Sequence, residues 1–212
     1  MASDFIYVIS GSDLFCYDQM GEEQYVNHLS ENIATLTFIP NEPSLLVIAF
    51  TDLSMSKFKD VNIVFDYAKI VGNATTLCWI DNGVMVGTKE GVIGYYETKK
   101  SKWKAKSTHS VLKIIKFNET SVLVGRHNSS IELRDWSNGT TICKVEKEHK
   151  LGEKLINMFL MDFRKEGYNQ LVCIGEGGVI KAYNISKVDE VAKKPVAHEI
   201  KEISLDIEGL AR

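Results

Sequence analysis

What the sequence does without narrows its function first. It has no apolar run of about 18 residues or more, the length a membrane-spanning helix needs. Its start, MASDFIYVIS, lacks the basic residues and long apolar core of a secretory leader. The expectation is a chain that neither spans a membrane nor enters the secretory route. It also lacks a basic excess: 25 Lys and Arg against 28 Asp and Glu leave a net charge of −3, the wrong sign for nucleic-acid binding. The one lysine-rich stretch, KKSKWKAK at 99–106, reads as the solvent face of an edge strand, where lysine discourages edge-to-edge pairing. Cysteine is sparse and unpaired in sequence. Cys16, Cys78, Cys143 and Cys173 stand far apart inside apolar runs, as reduced core residues of a cytosolic protein do. One feature points the other way: Asn73, Asn118, Asn128, Asn138 and Asn184 each begin an N-x-[ST] triplet. Without a leader these are assigned to turns and strand starts, where Asn, Ser and Thr serve the backbone.

Catalytic signatures are missing as well. No G-x-S-x-G elbow, H-E-x-x-H, P-loop or G-x-G-x-x-G occurs. The five histidines, His28, His109, His127, His149 and His198, show no metal-ligand spacing. The glycine cluster GEGGV at 175–179 opens no helix and reads as a hairpin turn. In DFRKEGYNQL, 162–171, Asp162, Glu166 and Asn169 could face a calcium ion, but Arg164 and Lys165 between them oppose it. LRDWSNGTTI, 133–142, is similar to the Asp…Gly repeats of quinoprotein propellers, yet no ring of cofactor contacts accompanies it. The expectation is therefore no metal, no cofactor and no enzyme.

What is present is a repeat. A small residue closes each strongly apolar run: YVIS at Ser10, LVIA at Ala49, VMVG at Gly87, VLVG at Gly125 and VCIG at Gly175, spaced by 39, 38, 38 and 50 residues. A period near 38 with one insertion is that of β-propeller blades. A turn and an aromatic-bearing strand follow each anchor, with Tyr17, Phe58, Tyr95 and Tyr96, Trp136 and Tyr183 in the aromatic place. A further short strand comes after, and from the second unit on another precedes the anchor: ATLTFIP, ATTLCWI, VLKIIKF and LINMFLMDF. The fold class read here is all-β, a WD40-like propeller of four-stranded blades, about five blades' worth and part of a larger ring. The first and last units are three-stranded in this reading, and the small anchors are taken to let the chain turn tightly.

Residues 1–186 carry the blades, and the pattern changes over 187–212. Val196, Ile200, Ile203, Ile207 and Leu210 are spaced 4, 3, 4 and 3, an apolar seam on a helix with the period of a coiled coil. These five are the candidate partner-binding residues, on a helix that either pairs with another chain or folds back on the blades.

The runs GVMVGTKEGVIGYYETKKSKWKAKSTHSVLKIIKF, SVLVGRHNSSIELRDWSNGTTI and MDFRKEGYNQLVCIGEGGVIKAYN, in that order, together with VISGSDLFCYDQMGEEQYV upstream, resemble the propeller of the Bardet–Biedl syndrome protein 2 family, whose members are BBSome subunits. The resemblance implies further blades upstream of residue 1, and a coiled coil after the propeller that pairs with a related propeller subunit. It also implies a non-enzymatic scaffold in a coat-like complex that carries membrane proteins to and from cilia, located in the cytoplasm, at the cilium or flagellum and its basal body. Membrane association would come only through the complex, and nucleic acid is not expected. The alternatives are a WD-repeat-like adaptor in a vesicle coat or ubiquitin ligase, a quinoprotein-like propeller enzyme, and an extracellular glycan-binding propeller.

Overall fold

The structure, a computed structural model, describes residues 5–40, 42–60, 62–97, 99–145, 154–188 and 197–203. The chain forms two compact units, Met1–Lys116 and Phe117–Arg212. In the first, β1 (Phe5–Ser10), β2 (Asp13–Asp18) and β3 (Glu23–His28) make an antiparallel three-stranded sheet in chain order. Four-stranded antiparallel sheets follow: β4 (Ile33–Ile39), β5 (Glu42–Phe50), β6 (Met55–Lys59) and β7 (Asn62–Asp66), then β8 (Ala74–Ile80), β9 (Gly83–Thr88), β10 (Val92–Tyr96) and β11 (Ser101–Lys106). Strand β12 (Val111–Lys116) ends the unit, lying beside β8 and β9.

Turn chemistry sets where these strands stop. Between β2 and β3, Asp18 Oδ1 accepts hydrogen bonds from the backbone N–H groups of Met20 and Glu22, each at 2.9 Å, while Gly21 takes a left-handed φ of 82°, a conformation glycine enters without steric cost. The sheets then bury their faces against one another. Leu46, Ile48, Phe50 and Phe58 of the second sheet pack with Leu14 of β2, Ile33 of β4 and Tyr7 of β1. On the opposite face, Leu45, Val47, Ala49 and Met55 pack with Val84, Val86 and Tyr96 of the third sheet. Each such aliphatic or aromatic side chain removed from water contributes roughly 1.5–3 kcal/mol, so a sheet with apolar residues on both faces needs a neighbour on each side.

Gly87 shows how close the packing is. It is absent from the positive-φ residues, so the tight turn expected at the anchors is not its role. A methyl group there would overlap Val111 of β12 and Thr76 of β8; glycine lets the next inner strand approach. Thr75 spans the same contact, its hydroxyl donating to Val111 O at 2.6 Å.

The second unit contains β13 (Ser121–Arg126), β14 (Ile131–Asp135) and β15 (Thr141–Val145), paired antiparallel in that order. A four-stranded sheet follows, of β16 (Leu155–Met161), β17 (Gln170–Gly175), β18 (Ile180–Val188) and β19 (Ala197–Ile203), with a 3₁₀ turn at Glu176–Gly178 between β17 and β18. Gly125 repeats the part of Gly87: a methyl would meet Met158 and Leu155 of β16.

Three expectations are corrected here. Residues Ala197–Ile203 form a strand paired with β18 from Val188–Ala197 to Ala182–Ile203, not a helix, so the last sheet has four strands where three were expected. The division placed between residues 186 and 187 falls inside β18. Pairing along the nine-residue β18 gives this segment backbone partners that outweigh a two-heptad spacing, a local preference tertiary structure readily overrides. Trp136 lies past the end of β14 in a turn, its indole N–H donating to Glu119 O at 2.8 Å, and Arg134 occupies the strand position that Phe58, Tyr96 and Tyr183 hold elsewhere.

Candidate protein-binding surface

The register of the hairpins identifies an uncovered sheet face. Phe50 N bonds to Ser54 O at 3.0 Å, closing the β5–β6 hairpin with a three-residue loop, and counting back along β5 gives Ile48 and Leu46 on one face. In β9 the same count from Thr88 gives Val86 and Val84. All four are buried, and each pair faces the preceding sheet. In β1 the same count from Ser10 gives Val8 and Ile6. Cross-strand partners place Phe15 opposite Val8, Tyr17 opposite Ile6, and Val26 of β3 opposite Phe15. Tyr17 thus stands where Phe58 and Tyr96 stand in the next two sheets, stacked on Phe15 at a centroid distance of 6.4 Å. Yet Ile6 is 54% exposed and Val8 46%, against 0% for both Leu46 and Ile48. The outer face of β1–β3 is built like a buried one and lies open. Its inner face, by contrast, is packed: Tyr7 contacts Phe38 and Tyr25, with 3.2 Å between the Tyr7 and Tyr25 hydroxyl oxygens.

Other sequence candidates take structural duties. The Asn triplets make local turns: Asn118 Oδ1 accepts from the N–H groups of Thr120 and Ser121 at 2.9 and 2.8 Å, Asn128 Oδ1 from the Ser130 hydroxyl at 2.8 Å, and Asn138 Oδ1 from Thr140 N at 2.8 Å. Asn73 instead pairs with Glu90. Asp162 spends its carboxylate on the N–H groups of Glu166 and Gly167, at 2.9 and 2.8 Å. Asp135 does the same within its Asp…Gly segment, accepting from Ser137 N at 2.8 Å. On the edge strand β11, Lys102 pairs with Glu97 at 2.7 Å and Lys104 lies over the Tyr96 ring. Among the described residues, no group of three or more His, Cys, Asp and Glu is arranged to hold a metal, and no helix is long and apolar enough to cross a membrane. None of the four cysteines is in a disulfide; burial pushes the Cys78 thiol up to about 11 and the Cys173 thiol up to about 12, so neither is a nucleophile at neutral pH.

The fourth repeat carries a buried charge network that the sequence reading missed. Arg126, 1% exposed, donates to Glu132 through Nε at 2.9 Å and Nη2 at 3.3 Å. Arg134 donates through Nε to Glu132 Oε2 at 2.7 Å, the oxygen that Arg126 Nη2 also reaches, and through Nη1 to Gly139 O at 2.6 Å. Burial alone would raise the Glu132 pKa, but the two guanidinium groups outweigh it and hold the carboxyl below its ordinary range. The alternation R-x-x-x-x-x-E-x-R was visible in sequence, though only the hairpin brings the three together.

Of the five partner-binding candidates, Ile200 and Ile203 lie in β19. Val196, Ile207 and Leu210 lie outside the described residues.

Comparison with known proteins adds a family and a fold. Residues 33–134 match the family described as Ciliary BBSome complex subunit 2, middle region. Among solved structures, BBS1N in complex with ARL6DN is similar with a TM-score of 0.70 at 14% identity, over 93% of this chain and 63% of that one. The WD40 β-propeller domain of Doa1 is similar with a TM-score of 0.69 at 12% identity, over 85% of this chain and 61% of that one. Saccharomyces cerevisiae Sqt1 follows with 0.67 at 12% identity, over 82% and 53%. The chain thus spans between half and two thirds of those solved chains. At such identities the likeness speaks for the fold alone, an all-β arrangement of the propeller kind. No curated protein sequence matches significantly.

Proposed function

We propose, from the match of residues 33–134 to the family described as Ciliary BBSome complex subunit 2, middle region, that the chain is a propeller-type subunit of a BBSome-like complex, acting as a non-enzymatic scaffold. In this reading its sheets are blades of a ring larger than the described part, and the complex traffics membrane proteins to and from cilia from the cytoplasm and the basal body. The observation that carries it is the family match. The BBS1N likeness, at a propeller whose solved form holds ARL6DN, supports a protein as partner, a related propeller subunit among the candidates. The open face of β1–β3 supports a role in sheet-to-sheet contact, because it has the composition of faces that are buried elsewhere in the unit. Val196, Ile200, Ile203, Ile207 and Leu210 stay the candidate partner-facing residues in this reading, with Ile200 and Ile203 carried on strand β19 instead of a helix.

A second reading has an observation behind it. Doa1 and Sqt1 are as similar to the chain as BBS1N is, and a fold alone does not choose among functions, so an adaptor in another cytosolic complex stands as the rival. Affinity purification of the full-length protein from its own ciliated or flagellated cells separates the two. Co-recovery of other BBSome-type subunits in near-stoichiometric amounts is expected. Recovery of a ubiquitin-ligase or vesicle-coat set, or of the protein alone, would overturn the proposal.

A further inference from the structure

Strand β11 forms one side of its sheet, and among the described residues no further strand pairs with it. Its ladder with β10 has a definite parity. Ser107 N donates to Gly91 O at 3.1 Å, which makes Gly91–Ser107 a hydrogen-bonded pair, and in an antiparallel ladder such pairs alternate with non-bonded ones. Followed along the register, Ile93–Ala105 and Tyr95–Trp103 are bonded pairs, while Val92–Lys106 and Gly94–Lys104 are not. The backbone N–H and C=O groups of Lys104 and Lys106 therefore point away from β10, to the open edge. Their side chains are exposed and, with that of Lys102, stand two residues apart on one face of the strand. Lys99 and Lys100, also exposed, precede them. The carboxylates at the two ends of β10 are spent: Glu97 on Lys102 at 2.7 Å, and Glu90 on the backbone and side-chain N–H groups of Asn73, each at 2.8 Å.

Protection of a bare edge does not by itself account for this row of lysines. β3 and β7 are outer strands of their sheets too, and neither carries a lysine, although Ile63 and Val64 of β7 are 58% and 50% exposed. β15 has one, Lys144. We propose that the β11 edge takes up an extended segment of a partner protein, with acidic residues at alternate positions, as an added strand. Like charges set directly opposite each other are unfavourable and opposite charges favourable, so the row turns away a second lysine-edged strand and admits an acidic one. Main-chain hydrogen bonds to Lys104 and Lys106 supply affinity, and the alternating carboxylates fix the register. A lipid or nucleic-acid phosphate could meet the ammonium groups and the outward N–H donors, but it has nothing to donate to the outward carbonyls; a strand offers both. The site does not rest on the assembly role argued above.

The test is an NMR titration of the 212-residue chain at physiological salt, where loose charge attraction is screened. The probe is a short peptide in which glutamate and threonine alternate. It is compared with the same peptide N-methylated at the amides of its pairing edge, with a lysine–threonine counterpart, and with phosphatidylserine vesicles. The glutamate peptide is expected to slow hydrogen exchange at the Lys104 and Lys106 amides, where those of Trp103 and Ala105 are already held by β10. N-methylation should weaken it at least about tenfold, the size of one lost hydrogen bond, and the lysine peptide should not bind. The double variant Lys104→Glu, Lys106→Glu should lose the glutamate peptide by at least about tenfold and admit the lysine peptide, a reversal that a misfolded chain cannot show. Equal binding of the parent and N-methylated peptides would mean charge attraction alone and overturn the proposal. So would vesicle binding without peptide binding, or no slowing of exchange at Lys104 and Lys106 up to the solubility limit of the glutamate peptide. The wild-type comparison is complete without the variant.

Discussion

Arg126, Glu132 and Arg134 form the costliest polar arrangement among the described side chains: two guanidinium groups around one carboxylate, with Arg126 and Glu132 nearly solvent-free. Removing the shared partner leaves Arg126 buried beside an uncharged side chain. Glu132→Gln is accordingly expected to lower unfolding stability by about 3 kcal/mol, the low end for breaking a buried ion pair, measured by urea denaturation at neutral pH. The pH dependence has a definite sign. The folded pKa of Glu132 is depressed below its ordinary 4.5, so its contribution is complete above that value and is lost as the pH falls through the lower, folded value. The stability gap between wild type and variant should stay constant from neutral pH down to about 4.5 and close below it. Gly125 makes a second residue-scale point. With Met158 and Leu155 against it, Gly125→Ala overfills the contact and should cost about 1–3 kcal/mol in the same assay, whereas alanine at Gly167 meets no neighbour and is opposed only by its left-handed φ of 85°.

At the scale of elements, most strands were legible because their signals are local. Short alternating runs bounded by Asn, Asp and Gly turns gave most of β2 through β17 to within a few residues, GVIGYYE for β10 and SKWKAK for β11 among them, while β18 runs on past its expected end. Two things were not legible. The segment Ala197–Ile203 carries isoleucines at a helical spacing, and only pairing with the edge of the preceding strand β18 makes it a strand. The exposure of Ile6 and Val8 was hidden too: FIYVIS reads like the buried GVMVGT of β9, and what differs is whether a neighbouring sheet lies alongside. That difference gives a contrast between equivalent positions. Ile48→Asp puts a charge into the contact between the first two sheets and should unfold the first unit or cost about 4 kcal/mol or more. The double variant Ile6→Asp, Val8→Asp should shift the thermal midpoint of the 212-residue chain little, within the roughly 0.5 kcal/mol of ordinary surface changes. Comparable losses from both would show that the outer face of β1–β3 is not open.

For the molecule as a whole, the outer face of β1–β3 has the composition of faces that neighbouring sheets cover elsewhere in the unit, and the function proposed above has another sheet cover it in the assembly. The repeat was readable in sequence because every copy must solve the same burial problem; the candidate surface was not, because it is defined by what is missing beside one copy. Hydrogen–deuterium exchange over the peptide Phe5–Ser10, compared between the isolated 212-residue chain and the full-length protein in its purified assembly, measures that covering directly. The account expects markedly stronger protection in the assembly than in the isolated chain, where pairing with β2 is the strand's one backbone restraint among the described residues. Equally fast exchange in both would contradict it.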